Sequence, residues 1–184
     1  MSLDRFEQMY AASEDPWGSR TEWYERRKYG LTVAALLQPR YARVLELGCG
    51  NGELTRLLAP RCDEILAVDG SPTAVRLARA ADLPGVTVEE AVLPGAYPEG
   101  IFDLVVCSEV AYYLPEADRA ELADRTAQAL PSGGELLVVT WRGEAEDIAA
   151  PADQVHAELR AHEAFRPVAG YEDDGFRLDV LTRR

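Results

Sequence analysis

Apolar and polar positions change period several times along the chain, and each change marks an element. Residues 3–12 carry Leu3, Phe6, Met9 and Tyr10 on one side of a helical repeat, which Pro16 and Gly18 then break. Residues 20–37 read as a second helix through Trp23, Tyr24, Arg27, Leu31 and Ala34, with Thr21 as N-cap and Pro39 beyond its end. Short apolar runs then alternate with amphipathic stretches. Strands are expected at 43–47, 64–68, 86–89, 102–107 and 135–141, and helices at 52–59, 72–81, 116–130 and 152–164. Pro60 stops one helix, Ser71 caps the next with Pro72 in its first turn, and Pro131-Ser132-Gly133-Gly134 forms a turn. Phe102 to Cys107 is apolar almost throughout, the signature of a strand covered on both faces. Segments 166–171 and 175–182 flank Asp173-Asp174-Gly175 and read as a hairpin. The alternation predicts an α/β fold. Its seven strands form a doubly wound, mostly parallel sheet with one antiparallel strand near the C-terminus and helices on both faces.

Composition narrows the class. A chain of 184 residues suits one domain, here taken as 1–184, and 47% apolar residues suffice for a core. Residues 1–5 are polar and acidic and carry no secretory pattern, and no apolar run is long enough for a membrane span. Cys49, Cys62 and Cys107 are odd in number and far apart, which fits a reducing cytoplasm. Neither C-x-x-C nor H-x-x-x-H occurs, so no metal site is expected. Thirty-two acids against 19 bases give a net charge of −13, which disfavours nucleic acid and is compatible with a neutral or cationic small molecule. A monomer or homodimer is expected.

The candidate chemistry begins at Val44–Gly52, an apolar run ending in Gly48, Gly50 and Gly52. Gly48 and Gly50 let backbone lie against a ligand, and Asp69, closing the next apolar run, stands where a ribose diol would sit. That pattern implies a nucleoside-containing cofactor. A dinucleotide loop requires a third small residue, but Glu53 occupies that position and would oppose a pyrophosphate. The spacing from Glu46 to Gly52, E-x-G-x-G-x-G, instead resembles motif I of the class I S-adenosyl-L-methionine (SAM)-dependent methyltransferases. SAM has no phosphate, and an acid near its ammonium or sulfonium is electrostatically sensible.

Further segments carry the same resemblance: Val68-Asp69-Gly70-Ser71, Gly100 to Val105, and Leu130 to Leu136. More narrowly, Asp15-Pro16-Trp17, Trp23 to Tyr29, Ser108 to Leu114, Val155-His156 and Phe176 to Leu181 resemble the NodS-like group of small methyltransferases. The resemblance implies a Rossmann-like fold and the cofactor SAM, with S-adenosyl-L-homocysteine (SAH) as product. It also implies methyl transfer to a small acceptor, an amine nitrogen of an amino sugar or similar metabolite. An O- or carboxyl methyltransferase and a non-catalytic SAM-binding protein are the alternatives, with an NAD(P)-linked oxidoreductase behind them.

On this reading, Glu46, Gly48, Cys49, Gly50, Asp69, Gly70 and Ser71 belong to the cofactor site. Glu90 and Ala91 resemble the positions that meet the adenine edge, by carboxylate and backbone N–H, with Glu89 in place of Glu90 if the strand ends one residue earlier, and Ser108 contacts SAM through its backbone. Glu109 follows the fourth strand, where ligands collect in open α/β sheets, and is the expected proton acceptor for an amine. His156 is a second candidate base. Trp141 walls the acceptor cleft together with one of Tyr112 and Tyr113, which are not expected to point the same way. Residues 1–38 form the natural lid, with Trp17, Tyr24 and Lys28 toward the cofactor and Lys28 meeting the methionine carboxylate.

Overall fold

The computed structural model describes residues 3–184; Met1 and Ser2, at the start of the expected domain, lie outside them. Seven strands form one sheet: β1 Tyr41–Leu47, β2 Cys62–Asp69, β3 Val86–Glu90, β4 Leu104–Ser108, β5 Glu135–Trp141, β6 Phe165–Glu172 and β7 Phe176–Arg183. Their spatial order is 3-2-1-4-5-7-6. Neighbours pair in parallel except that β7 runs antiparallel to both β5 and β6. The expected mostly parallel sheet with one reversed strand is therefore present.

The helices are α1 Leu3–Ala12, α2 Trp23–Ala34, α3 Glu53–Leu58, α4 Pro72–Arg79, α5 Glu116–Ala129 and α6 Ala152–Ala161. Short 3₁₀ turns follow α3, at Ala59–Arg61, and β4, at Ala111–Tyr113. Alternation along each strand divides the core. Val44, Val106, Leu137 and Val139 face α2, α3 and α4, where Leu36, Leu54, Leu58, Val75 and Ala78 are buried. Leu45, Leu47, Val105 and Val138 face the other layer, with Leu122 and Ala127 of α5 and Val155 and Leu159 of α6. β4 is buried at every position, as its apolar run predicts.

Helix ends depart from the pattern in physically simple ways. α2 begins at Trp23 with Glu22, not Thr21, at its N-cap, and no side chain caps it. Ser71 does cap α4, its Oγ accepting the Ala74 N–H at 3.1 Å. The chain order reverses between β1 and β4, so the carboxyl ends of these strands form the crevice where open α/β sheets take their ligands.

Candidate active site

At the carboxyl end of β1 the chain turns through Gly48, Gly50 and Gly52, all in the left-handed region at φ +70°, +56° and +81°. A side chain on Gly48 would collide with Val110, and one on Gly50 with the Tyr10 hydroxyl. Gly52 lies against the Ala78 backbone, closing α3 onto α4. The N–H groups of Gly48 and Cys49 both donate to the Val68 carbonyl, at 2.8 and 2.9 Å. The Cys49 thiol is turned into the core, so only the backbone of this residue lies on the crevice side.

Asp69, the last residue of β2, braces this loop. Its Oδ2 accepts the Gly50 N–H at 2.8 Å and its Oδ1 accepts the Ser71 N–H at 2.9 Å. Burial raises its carboxyl above the usual range against these N–H donors. Glu46 is almost wholly buried, with Oε2 lacking a hydrogen-bond partner. Burial pushes its carboxyl up to about 8, the Thr55 hydroxyl beside it works the other way, and the Asp69 charge adds to the rise. A buried acid and a half-buried one beneath a loop with no room for side chains suit a ligand that brings hydroxyls and a positive charge. The donor set therefore fits SAM.

The other expected cofactor residues are placed less directly. Ser71 is fully buried; besides capping α4, its hydroxyl donates to Glu7 at 2.6 Å. Gly70 faces Leu3 of α1. Glu90 is exposed at the end of β3, and the Ala91 N–H donates to the Asp69 carbonyl at 2.9 Å. That bond engages the donor expected for the adenine edge. Ser108 ends β4, buried.

Beyond β4, Glu109 adopts φ +58°; among the described residues only it and Asp82 do so without being glycine. Such a conformation costs about 1–3 kcal/mol and persists only where its surroundings over-determine it. Here the Glu109 N–H extends the ladder to Val139 at 2.9 Å, Oε2 accepts the Trp141 N–H at 3.1 Å, and Oε1 takes Lys28 Nζ at 2.9 Å. Lys28 also holds Glu25 at 3.0 Å. Lys28 is thus engaged by two carboxylates, a different setting from the expected contact with a methionine carboxylate.

Tyr112 and Tyr113 do not diverge as expected. Their rings stack at 4.1 Å and their hydroxyls share a 2.9 Å hydrogen bond, because the segment is a 3₁₀ turn and neither regular helix nor strand. Tyr112 is buried and Tyr113 half-buried, with Phe6 of α1 edge-on to Tyr113 at 5.0 Å. The Trp141 side chain is half-buried beside Gly143.

His156 is sealed. Its exposure is 0%, Nδ1 lies 2.8 Å from Asp179 and Nε2 3.1 Å from Thr140. Both nitrogens are occupied by buried partners, so the ring has no path to an acceptor. The expected second base is here a tie between α6, β5 and β7.

The N-terminal segment covers the crevice. Trp17 packs against Tyr10 and Phe6, with centroids at 5.3 and 6.1 Å. Tyr24 instead donates to the Gly175 carbonyl at 3.1 Å, facing the hairpin of β6 and β7. Sequence reasoning missed Asn51, whose amide donates to the Glu14 carbonyl, Asp15 and Ser19 at 3.0–3.2 Å and so fastens the α1–α2 connection to the glycine loop. A polar residue enclosed by glycines was the available signal. Glu25, three residues before Lys28, was legible only as an i, i+3 pair. Among the described residues no acid, cysteine and histidine cluster suits a metal, and no helix is long and apolar enough to cross a membrane.

Comparisons with known proteins agree with this arrangement. Residues 21–170 match the family described as Methyltransferase domain. Nodulation protein S of Rhizobium tropici is 30% identical over 133 residues, covering 68% of this chain and 55% of that protein. A ubiquinone biosynthesis O-methyltransferase of Xanthomonas axonopodis pv. citri is 35% identical over 113 residues, 59% of this chain and 46% of that protein. The chain spans about half the length of these curated relatives. The crystal structure of the N-methyltransferase NodS from Bradyrhizobium japonicum WM9 in complex with SAH superposes with a TM-score of 0.86 at 24% identity, covering 98% of this chain and 97% of that one. With the match running through the glycine loop, Asp69 and Glu109, the chain belongs to the methyltransferase domain family, among the class I SAM-dependent methyltransferases and similar to NodS.

Proposed function

We propose that this chain binds SAM across the carboxyl ends of β1 and β2 and transfers its methyl group to a small acceptor, an amine nitrogen of an amino sugar or similar metabolite. The observation that carries the acceptor reading is Glu109, a carboxylate held in a strained backbone conformation at the switch point, between Trp141 and the tyrosine pair. SAM, when bound, supplies a methyl group on a sulfonium whose departure as a neutral thioether needs no acid. The protein's work is placement. When SAM is bound, the Gly48–Gly50 backbone would cradle it, Glu46 would serve its ammonium, and Asp69, whose carboxylate is not saturated by its backbone N–H donors, would take the ribose hydroxyls. Glu109 orients the acceptor amine and receives the proton shed as nitrogen bonds carbon, directly or through water. His156 has no part in this proposal.

The lid is also narrower than 1–38. Tyr24 and Arg27 bind α2 to the β6–β7 hairpin, Arg27 pairing with Asp173 at 2.7 Å, whereas α1 rests on the crevice by separable contacts. We assign the lid to α1.

The Xanthomonas relative is named an O-methyltransferase, which supports hydroxyl transfer as the second reading. A methyl-transfer assay with SAM against amino sugars, simple amines, phenols and carboxylates tests both. Turnover of amines is expected, with Glu109→Gln lowering kcat/KM by about 100-fold or more. Turnover confined to hydroxyls or carboxylates would refute the amine reading, and SAM binding without any turnover would leave a non-catalytic binder.

A further inference from the structure

Glu25 and Lys28 are buried on α2, with exposures of 8% and 2%, yet neither packs as an apolar residue nor reaches the glycine loop. Lys28 Nζ stands 3.0 Å from Glu25 Oε1 and 2.9 Å from Glu109 Oε1, and lies over the rings of Tyr24 and Tyr29 at 5.1 and 5.6 Å. Burial of a lysine is tolerated only with partners, and this one has two. The three groups carry one net negative charge in a poorly solvated place. We infer that Glu25 and Lys28 are positioning residues that hold Glu109 as an oriented carboxylate toward the acceptor, and that the binding of α2 to the hairpin completes the acceptor end of the site.

Three observations converge. Glu109 has a left-handed backbone that its surroundings must impose, and Lys28 is one of the groups that do so. Burial works against the Lys28 ammonium, but the Glu109 and Glu25 charges outweigh it and hold its pKa above the ordinary value. Glu25 is raised by burial, with Lys28 opposing and Glu109 adding to the rise. Lys28 is therefore the one positive charge that both neighbouring carboxylates contact. The remaining titratable groups around Glu109 are all neutral at physiological pH. Tyr24 and Tyr29 face it from α2, Cys107 from β4, and Tyr112 and Tyr113 from the turn after β4, each pushed upward first by burial and further by the Glu109 charge. The nearest arginine on α1, Arg5, is paired with Asp147 at 3.2 Å. Among the described residues no other cation pairs with Glu109.

The inference rests on the proposed acceptor role of Glu109, but its test does not need turnover. Protein carrying ¹³C at glutamate Cδ is titrated by NMR, with the Glu109 resonance identified by its loss in Glu109→Gln. In Lys28→Met, the Glu109 midpoint should rise by about one pH unit or more as Glu25 and Glu109 come to share a proton. In Lys28→Met/Glu25→Gln it should return toward the wild-type value. Glu25→Gln alone, the milder change, should lower the midpoint, and Lys28→Arg should restore the wild-type titration. An unmoved Glu109 midpoint in both Lys28→Met and Glu25→Gln would overturn the inference. So would SAM affinity falling tenfold in Lys28→Met without a change in that midpoint, because Lys28 would then serve the methionine carboxylate. The acid limb of kcat/KM for an amine should follow the NMR midpoint while KM for SAM stays constant. Midpoints that move as expected in a protein that methylates no amine would refute the amine reading and leave the positioning role intact.

Discussion

Glu46 illustrates how a single buried atom can link a binding event to protons. Its carboxyl, pushed up to about 8 by burial, is mostly protonated at neutral pH, and Oε2 is without a partner. An ammonium placed beside it would favour the carboxylate and expel the proton. SAH binding near neutral pH should therefore release most of one proton. Affinity should strengthen by nearly tenfold per unit between about pH 6 and pH 7 and level off toward pH 8, where Glu46 ionises without the ligand and the ligand's own amine loses its charge. Calorimetry in buffers of different ionisation enthalpy measures the release, and Glu46→Gln should abolish it; wild-type binding without proton exchange would refute the assignment. His156 makes the opposite case, a titratable group with nothing to do but hold the fold. His156→Ala removes a fully buried ring and leaves the Asp179 carboxylate with the longer pairs to Arg160 and Arg177, both 3.5 Å away. A loss of about 2–4 kcal/mol in urea unfolding is expected, with kcat comparable to wild type below the melting range. A fall in kcat of about 100-fold in a protein of unchanged stability would restore it as a base. Glu46, Gly48, Gly50 and Asp69 were legible in the sequence because a strand end followed by glycines constrains what their residue types can do. His156 was not, because a histidine in a helix looks the same whether its partners are solvent, substrate or a strand over twenty residues away, here Asp179.

At the scale of elements, the strands were placed within a few residues by alternation and by Pro and Gly, whereas helix ends shifted where capping is weak, as at Glu22 before α2. What alternation could not convey is how α1 docks. Its anchor is Glu7, whose Oε2 accepts the Ser71 hydroxyl at 2.6 Å and the Thr73 N–H at 3.1 Å, and whose Oε1 accepts the Thr73 hydroxyl at 2.5 Å. The side chain of one helix thus helps cap another, a relation invisible to local pattern. The Ser71 hydroxyl, followed by the Thr73 groups, holds the Glu7 carboxyl below its ordinary value. A depressed carboxyl contributes to docking above its undocked pKa and loses that contribution as pH falls through the docked one. α1 should therefore loosen below about pH 4. Glu7→Gln should reproduce the effect at neutral pH. Tryptic cleavage at Arg5 of the ligand-free variant is expected to quicken several-fold with no change in the melting of the sheet, and equal cleavage rates would remove Glu7 as the anchor.

For the whole molecule, the two helices of the N-terminal segment have different allegiances. α2 joins the first part of the chain to the last. Tyr24 donates to Gly175, while Arg27 pairs with Asp173, hydrogen-bonds Tyr171 and lies over the Tyr171 and Phe176 rings at 5.6 Å. α1 has no such tie. It meets the body at Glu7, at the Arg5–Asp147 pair, and through Phe6 and Tyr10 lying over the tyrosine pair and the glycine loop. Those last contacts cover the crevice in which SAM is proposed to bind, so α1 must shift or repack as the ligand enters, and α2 need not. Hydrogen exchange would separate the two. Without ligand, amides of residues 3–12 should exchange at least about tenfold faster than those of 23–34, because α1 opens locally while α2 opens only with the sheet. Saturating SAH should slow exchange in α1 and in the Asn51 segment to which the α1–α2 connection is fastened. It should leave α2 governed by global stability, which at about 100 times Kd rises by about 2.7 kcal/mol. Equal exchange of the two helices without ligand would mean that residues 3–34 move as one lid. The acceptor carboxylate Glu109 would then lose its Lys28 partner whenever the cofactor site opened.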